Sequence, residues 1–145
     1  KNDLQVTAEI IEQLNLSNIA MKDVNRLSGG QQQTVFIARA LAQQTDILLL
    51  DEPTASLDLR HSIEIMDILK QLANRGLTII VALHDINIAM RYATKFMMLK
   101  NGEIFAHGGK EIITEEYLEK LYDIKIRVIK NDDELYIMPL GILNN

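Results

Sequence analysis

Four short stretches of this sequence could carry chemistry, and three of them offer groups that could bind or cleave a phosphate. They are Leu27–Gln31, Asp51-Glu52, Ser56–Asp58 and His84. Together they offer helix-start N–H groups, carboxylates for a metal ion and a water, and an imidazole that can donate a hydrogen bond. Because short motifs also match by chance, each stretch has a structural alternative.

The first stretch predicts a helix N-terminus that could bind an anion. Ser28 followed three residues later by Gln31 is a capping-box pattern. Gly29 and Gly30 would let another backbone approach closely and would leave their own N–H groups pointing outward. The helix dipole favours a phosphate at this position. The alternative is an ordinary capped helix start after a loop, which the local pattern alone favours.

The carboxylate pair Asp51-Glu52 follows the apolar run Ile47–Leu50. In open α/β sheets, ligands bind beyond the carboxyl ends of the strands. Asp51 could hold Mg²⁺ directly or through water, and Glu52 could orient or deprotonate an attacking water. The alternative, two solvated carboxylates before Pro53, is equally favoured on local grounds.

The three histidines have different prospects. His84 follows the predicted strand Thr78–Leu83 and, as a neutral imidazole, could donate to a γ-phosphate oxygen. A lone histidine is more often structural. His61 and His107 have no partners at metal-ligand spacing, so no role is predicted for them.

Asp58 is predicted as a helix N-cap, and any functional role would be additional.

Strands and helices alternate around these stretches. The runs Ile47–Leu50 and Thr78–Leu83 predict two strands, joined by a helix over Leu59–Asn74 that ends before Gly76. Uninterrupted apolar runs are typical of parallel strands buried on both faces. The predicted fold class is therefore α/β, with parallel strands and flanking helices.

The other predicted elements flank this unit on both sides. We expect a helix over 7–15 with Thr7 as N-cap, and a helix from Gly29 to about Gln43. Its predicted inner face consists of Val35, Ala38, Leu41 and Ala42. After β-strand Thr78–Leu83 we expect a helix capped by Asp85 and then a hairpin with strands Phe96–Lys100 and Glu103–His107 around Asn101-Gly102. A helix from Thr114 follows. The chain then forms a second predicted hairpin, with strands Lys125–Lys130 and Glu134–Met138 around Asn131–Asp133.

Composition narrows the functional classes. The 145 residues include 15 Lys plus Arg and 20 Asp plus Glu, for a formal charge of −5 at pH 7. This negative total argues against a nucleic-acid partner, because phosphate-backbone binding needs concentrated positive charge. No apolar run reaches the roughly 20 residues of a membrane-spanning helix. The absence of Cys excludes disulfides and thiolate metal sites.

The order of the four stretches closely resembles the nucleotide-binding domain of ATP-binding cassette (ABC) transporters. Leu27–Gln31 matches the signature LSGGQ, Ile47–Glu52 the Walker B strand, Ser56–Asp58 the D-loop and His84 the switch histidine. The resemblance implies a P-loop NTPase-type domain whose cofactors are ATP and Mg²⁺. Gln32 and Thr34 depart from the arginines that many members carry there.

The resemblance also implies a role for each site residue. In the family, two such domains pair head to tail with ATP between them. Four residues would contact ATP held by the partner domain: Ser28, Gly29, Gly30 and Gln31. Four others would act on the chain's own side, with Asp51 organising Mg²⁺, Glu52 polarising the water, His84 contacting the γ-phosphate and Asp58 communicating between the two sites.

The resemblance covers only the later part of the family domain. None of the seven glycines makes a G-x-x-x-x-G-K-[ST] phosphate loop, so the Walker A part is expected upstream of Lys1. The implied domains are 1–26, the end of the helical subdomain; 27–109, the ATPase core; and 110–145, a C-terminal helix and hairpin appendage. We expect a C-terminal fragment with little ATP binding or ATPase activity of its own.

Softer features indicate the subfamily. The segments His84–Asn87, Arg91–Ala93, Lys100–Glu103 and Tyr122–Ile124 resemble importers of iron–siderophore, haem or cobalamin. The expected partners are a second nucleotide-binding subunit and a transmembrane permease, at the cytoplasmic face of the cell membrane. Two alternatives stay open: a non-transport ABC ATPase of DNA repair or translation, and a non-catalytic fragment.

Overall fold

A computed structural model describes residues 2–132 and 134–142 of the chain. It divides into two compact units, Lys1–His84 and Asp85–Asn145. Three parts of the predicted elements lie outside the described residues: Lys1, Asp133 in the second hairpin turn, and residues 143–145 of the appendage.

The first unit contains three helices and two strands in the described residues. They are α1 (Asp3–Gln13), α2 (Gly29–Leu41), β1 (Ile47–Asp51), α3 (Leu59–Asn74) and β2 (Thr78–Ala82), with a 3₁₀ turn at Val24–Arg26. Strands β1 and β2 pair in parallel, from Ile47 opposite Thr78 to Asp51 opposite Ala82. This β–α–β unit confirms the predicted α/β class.

The prediction that these strands are buried on both faces is wrong. Leu48 is 5% exposed, whereas its neighbours Ile47 and Leu49 are 58% and 73% exposed, and Ile80 on β2 is 54% exposed. Successive side chains point to opposite faces of a strand. Helix α3 contacts β2, so one face of the pair is covered and the other is open.

Helix α1 begins four residues before the predicted N-cap. Asn2 caps it by accepting a hydrogen bond from the Leu4 N–H at 3.5 Å. Thr7 lies inside the helix, where its hydroxyl donates to the Asp3 carbonyl at 2.8 Å. The apolar face extends back to the buried Val6, and this tertiary burial overrides the Thr7 signal.

The predicted inner face of α2 is only partly correct. Ile37 is fully buried although it was not predicted. Val35, Ala38 and Leu41 are half-buried, and Ala42 is exposed. Helix α2 contacts both α1 and α3, so the side that packs most tightly cannot be read from apolar spacing alone.

Helix α3 matches its predicted bounds. Its N-cap Asp58 accepts a hydrogen bond from the His61 N–H at 2.9 Å. At the other end Gly76 adopts a φ of 101°, a left-handed conformation that costs glycine little. The buried stripe of α3 consists of Ser62, Ile65, Met66, Leu69 and Leu72.

The second unit contains two helices and two antiparallel hairpins in the described residues. They are α4 (Ile86–Tyr92), β3 (Phe96–Lys100), β4 (Glu103–Gly108), α5 (Glu115–Tyr122), β5 (Ile124–Asn131) and β6 (Glu134–Ile142), with a 3₁₀ turn at Lys110–Ile112. The Asn101-Gly102 turn has φ values of 53° and 80°, as predicted for a two-residue hairpin.

The second hairpin is longer than predicted. Pro139 and Gly141 interrupt the strand pattern, yet they pair with Ile126 and Lys125. A register shift between Lys125 and Ile126 accommodates the irregular segment. Proline is tolerated because β6 is an edge strand of a two-stranded sheet.

One hydrophobic core holds the second unit together. It consists of Met90, Met98, Ile113, Leu118, Ile126 and Ile137. These residues come from both sides of the expected boundary at 109/110, while the three-part division itself stays a prediction. In the parts of the chain described here, no helix combines the length and apolarity needed to cross a bilayer.

Candidate functional site

A strand-end cluster, defined as Asp51, Glu52 and His84, lies where β1 and β2 end. Because the strands are parallel, their carboxyl ends meet at one edge. Asp51 lies opposite Ala82 in the register. The Glu52 N–H donates to the Ala82 carbonyl at 3.0 Å, extending the pairing one residue past β1.

Glu52 and His84 are in direct contact within this cluster. Glu52 Oε1 lies 2.5 Å from His84 Nε2, with side chains 40% and 83% exposed respectively. Glu52 has a φ of 45°, in the left-handed region that non-glycine residues rarely adopt. The pair therefore presents an accessible carboxylate and an imidazole to the same point in solvent.

Asp51 offers one exposed carboxylate beside this pair. Among residues 2–132 and 134–142, no group of three or more His, Cys, Asp or Glu side chains could hold a metal ion. Mg²⁺ is usually bound through one or two carboxylates together with substrate phosphates and waters. Asp51 therefore fits a metal ion that arrives with a phosphate ligand, rather than a metal site built from protein groups alone.

A helix-start cluster forms at the N-termini of α2 and α3. We define it as Ser28–Gln31, Asp58 and His61. The predicted capping box is present, since the Ser28 N–H donates to Gln31 Oε1 at 3.1 Å and the Gln31 N–H donates to Ser28 Oγ at 3.4 Å. The two side chains thus fix the first turn of α2.

The chemistry of this first turn fits an anion. The first N–H groups of a helix have no intrahelical acceptor, and the capping box satisfies only that of Gln31 within the turn. The N–H groups of Gly29 and Gly30 make no capping-box bond and lie at the positive end of the helix dipole. Gly29 is exposed as predicted, whereas Gly30 is buried, so the prediction that both glycines are exposed is wrong for Gly30. A phosphate oxygen is the kind of acceptor that such a turn takes.

Gly30 is approached by the side chain of His61, for which the sequence predicts no role. A Cβ atom on Gly30 would lie 2.6 Å from His61 Cδ2, so any larger residue would clash with the imidazole. His61 Nδ1 in turn lies 2.8 Å from Asp58 Oδ1. The Asp58-x-x-His61 spacing was the available signal, because residues three apart are neighbours on a helix.

The same contacts perturb the acidity of Asp58. The backbone N–H of His61, followed by its side-chain hydrogen bond, holds the pKa of the Asp58 carboxyl below its ordinary value. Asp58 therefore stays ionised over a wider pH range than an isolated aspartate.

Local structural roles are filled by Gln32 and Thr34, which stand where many members of the resembled family carry arginine. Gln32 Nε2 donates to the carbonyls of Val24 and Leu27 at 3.1 Å and 3.2 Å. The Thr34 hydroxyl donates to the Gly30 carbonyl at 2.9 Å. These bonds tie the preceding loop and the first turn to the body of α2.

The structure thus gathers the predicted site residues into two clusters. Glu52 and His84 meet beside Asp51, whereas Ser28–Gln31 and Asp58 meet through His61. A turn links the clusters, with the Ala55 N–H donating to the Glu52 carbonyl and the Leu57 N–H to the Thr54 carbonyl.

Comparison with known proteins yields consistent matches. The ABC transporter family matches residues 2–55. The ferric enterobactin transport ATP-binding protein FepC of Escherichia coli is 39% identical, in an alignment covering 97% of this chain and 54% of FepC. The chain spans about half the length of the curated relatives it matches.

Solved structures are similar as well. An ABC transporter described as of metal-chelate type, in an inward-facing conformation, has a TM-score of 0.85 at 30% identity, covering 94% of this chain and 56% of that one. The ATP-binding cassette MJ0796, a dimer in a post-hydrolysis state with ADP and phosphate, has a TM-score of 0.61 at 40% identity, covering 72% and 46%.

Proposed function

We propose that this chain, which is similar to ABC transporter ATP-binding proteins, forms the signature-bearing part of an ATPase that drives import. The single observation that carries this proposal is the Glu52–His84 contact, which brings the predicted catalytic pair together at a strand end. The cofactors would be ATP and Mg²⁺.

Glu52 and His84 would act on the attacking water and the reacting phosphate. When bound, magnesium–ATP would supply the phosphoryl group that is transferred to water, a reaction that depends on positioning and charge stabilisation. The Glu52 carboxylate would accept a hydrogen bond from the water and orient it. His84 would hold the Glu52 carboxylate through Nε2 and donate toward the γ-phosphate when that contact is released. Asp51 would hold the metal ion.

The helix-start cluster would serve the ATP of a second subunit. Ser28 and the N–H groups of Gly29 and Gly30 form the anion-binding turn, with Gln31 closing its capping box. The clusters form separately within one chain, which supports two shared sites per head-to-tail dimer. The cassette MJ0796 is itself a dimer with ADP and phosphate. Asp58, next to this turn through His61, would communicate between the two sites.

The proposed cargo is an iron–siderophore, with haem and cobalamin as related chelates. FepC is named for ferric enterobactin transport, and other relatives are named for achromobactin and petrobactin. The whole protein would then work against a transmembrane permease at the cytoplasmic face of the membrane. No nucleic-acid partner is proposed, because the net charge is −5.

The test is Glu52→Gln in the intact protein that contains this chain. Glutamine keeps the shape of the side chain but cannot take a proton from water, so we expect ATP turnover to fall by about 10²-fold or more. ATP-bound dimers should accumulate, as measured by light scattering with ATP. The control is Glu103→Gln, an exposed glutamate at the start of β4. Unchanged turnover in Glu52→Gln would overturn the proposed role.

A further inference from the structure

We propose that His61 is a positioning residue that holds the first turn of α2 in place against the first turn of α3. This inference rests on the proposed function, because it assigns His61 a task in presenting Ser28–Gln31 to nucleotide. His61 is not one of the predicted site residues, and the sequence predicts no role for it.

The first observation is the contact between His61 and Gly30. The imidazole occupies the space that a Gly30 side chain would take, with Cδ2, Cγ and Cβ at 2.6 Å, 3.0 Å and 3.2 Å from an ideal Cβ. Gly30 is buried, while Ser28 and Gly29 before it are exposed. His61 therefore packs against the buried residue of the turn, next to the exposed Ser28 and Gly29.

The second observation is that the His61 ring is itself held. Its Nδ1 bonds to Asp58 Oδ1 at 2.8 Å, and the same oxygen accepts the His61 backbone N–H at 2.9 Å. A hydrogen bond to an ionised carboxylate is shorter and stronger than a neutral one. The ring is thus fixed by Asp58 on one side and in contact with Gly30 on the other.

These contacts make one continuous path between two site elements. A shift of the Asp58 turn would release or tilt the His61 ring, and the ring cannot move toward α2 without meeting Gly30. The adjacent Gly29 lies in ordinary contact with Leu57 of the same turn, at 3.4 Å from an ideal Cβ to Cδ2. The geometry therefore transmits the position of the Asp58 turn to the anion-binding turn.

A matched pair of variants separates the hydrogen bond from the packing. In His61→Asn the amide nitrogen can replace Nδ1 as donor, and the amide oxygen takes the place of Cδ2. In His61→Leu the two methyl groups fill similar positions but offer no donor. Both are made in the intact protein, alone and together with Glu52→Gln.

Four readouts are needed, and one of them is the hydrogen-exchange rate of the Gly30 amide. Light scattering measures the ATP concentration that drives dimerisation in the Glu52→Gln background. A fluorescent ATP analogue, used at protein concentrations too low for dimers, measures nucleotide binding by the monomer. Carbon-13 NMR follows the titration of the Asp58 carboxyl group.

We expect His61→Leu to weaken ATP-driven dimerisation about tenfold, the scale of one charge-assisted hydrogen bond. Monomer nucleotide binding should be unchanged, and the Asp58 pKa should rise toward its ordinary value. His61→Asn should restore both the dimerisation and the lowered pKa. Equal dimerisation in both variants, or an equal loss of monomer nucleotide binding, would overturn the inference.

Failure of the proposed function would look different. If Glu52→Gln alone forms no ATP-dependent dimer, the proposed function is wrong for this chain. The Asp58 titration and the exchange rate of the Gly30 amide then still decide whether His61 holds the two turns together. An unchanged titration and exchange rate in His61→Leu would overturn the positioning role by themselves.

Discussion

Glu52 leaves strand β1 in a left-handed conformation while its N–H continues the pairing with β2. Because of this turn, the Glu52 side chain does not continue the alternation of side chains along β1. Its Oε1 lies 2.5 Å from His84 Nε2. Backbone conformations of this kind cost about 1–3 kcal/mol and cluster at functional sites. We infer that the position of the Glu52 carboxylate depends on this turn.

The first residue-level prediction concerns His84. In the intact protein, His84→Ala should lower the ATPase kcat by about 10²-fold, because it removes a preorganised hydrogen-bond donor. KM for ATP should change far less. Steady-state ATPase assays measure both quantities.

The matched control is His107→Ala, which replaces another exposed histidine on strand β4. It should leave turnover at the level of the unmodified protein. Equal losses in the two variants would contradict a specific role for His84.

The second residue-level prediction concerns pH. The folded-state pKa of Asp58 lies below its ordinary value of about 4, because His61 donates two hydrogen bonds to it. Its contribution to stability is therefore complete above about pH 4 and is lost as pH falls through the lower folded-state pKa. Urea unfolding at a series of pH values should show a smaller acid loss of stability for Asp58→Asn. Parallel curves for the two proteins would argue against the effect.

At the level of elements, Asn87 connects helix α4 to strand β6. Its Nδ2 donates to the Ile137 carbonyl at 3.2 Å, and its Oδ1 accepts the Ile137 N–H at 2.8 Å. The Asn87 side-chain amide thus pairs with the backbone N–H and carbonyl of Ile137 on the edge of β6, as a neighbouring strand would. This gives a physical role to a residue of the segment His84–Asn87 used to indicate the subfamily.

We predict that Asn87→Ala destabilises the protein by about 1–3 kcal/mol, because it leaves two backbone groups of Ile137 without their partners. Urea denaturation of the chain measures this change. Asn74→Ala is the control, since it replaces an exposed asparagine at the end of α3. Similar unfolding midpoints for both variants would mean that the Asn87 bonds contribute little.

At the scale of the whole molecule, the open face of the β1–β2 pair is the main exposed apolar feature of the first unit's sheet. Ile47, Leu49 and Ile80 are 58%, 73% and 54% exposed. They lie on one face, since Leu49 pairs with Ile80 and Ile47 with Thr78. Adjacent exposed apolar side chains of this kind mark surfaces that other protein segments cover.

The 145-residue chain by itself should therefore self-associate through this face. Leu49→Lys should lower the association measured by sedimentation velocity, because it places a charge at the centre of the apolar surface. Ile104→Lys, at a position that is 58% exposed on strand β4, is the matched control. A larger effect from Ile104→Lys would locate the association surface on the second unit instead.

Much of this architecture was predictable because its signals are local. The capping box at Ser28, the Asp58 cap and the Asn101-Gly102 turn depend on residues within a few positions of one another. The β–α–β unit was predictable because two apolar runs separated by one helix have few ways to pair. The family resemblance also rested on local motifs in a fixed order.

The fold class, the element order and the residue types available for phosphate chemistry all follow from the order of residues along the chain. Which of these residues meet depends instead on the tertiary structure, which brings Glu52 to His84 and Gly30 to His61. It also decided that each strand has one open face and that Ile37 is the buried centre of α2. The physical reason is that capping and turn preferences act between neighbours in sequence, whereas contact and burial depend on which elements pack together in space.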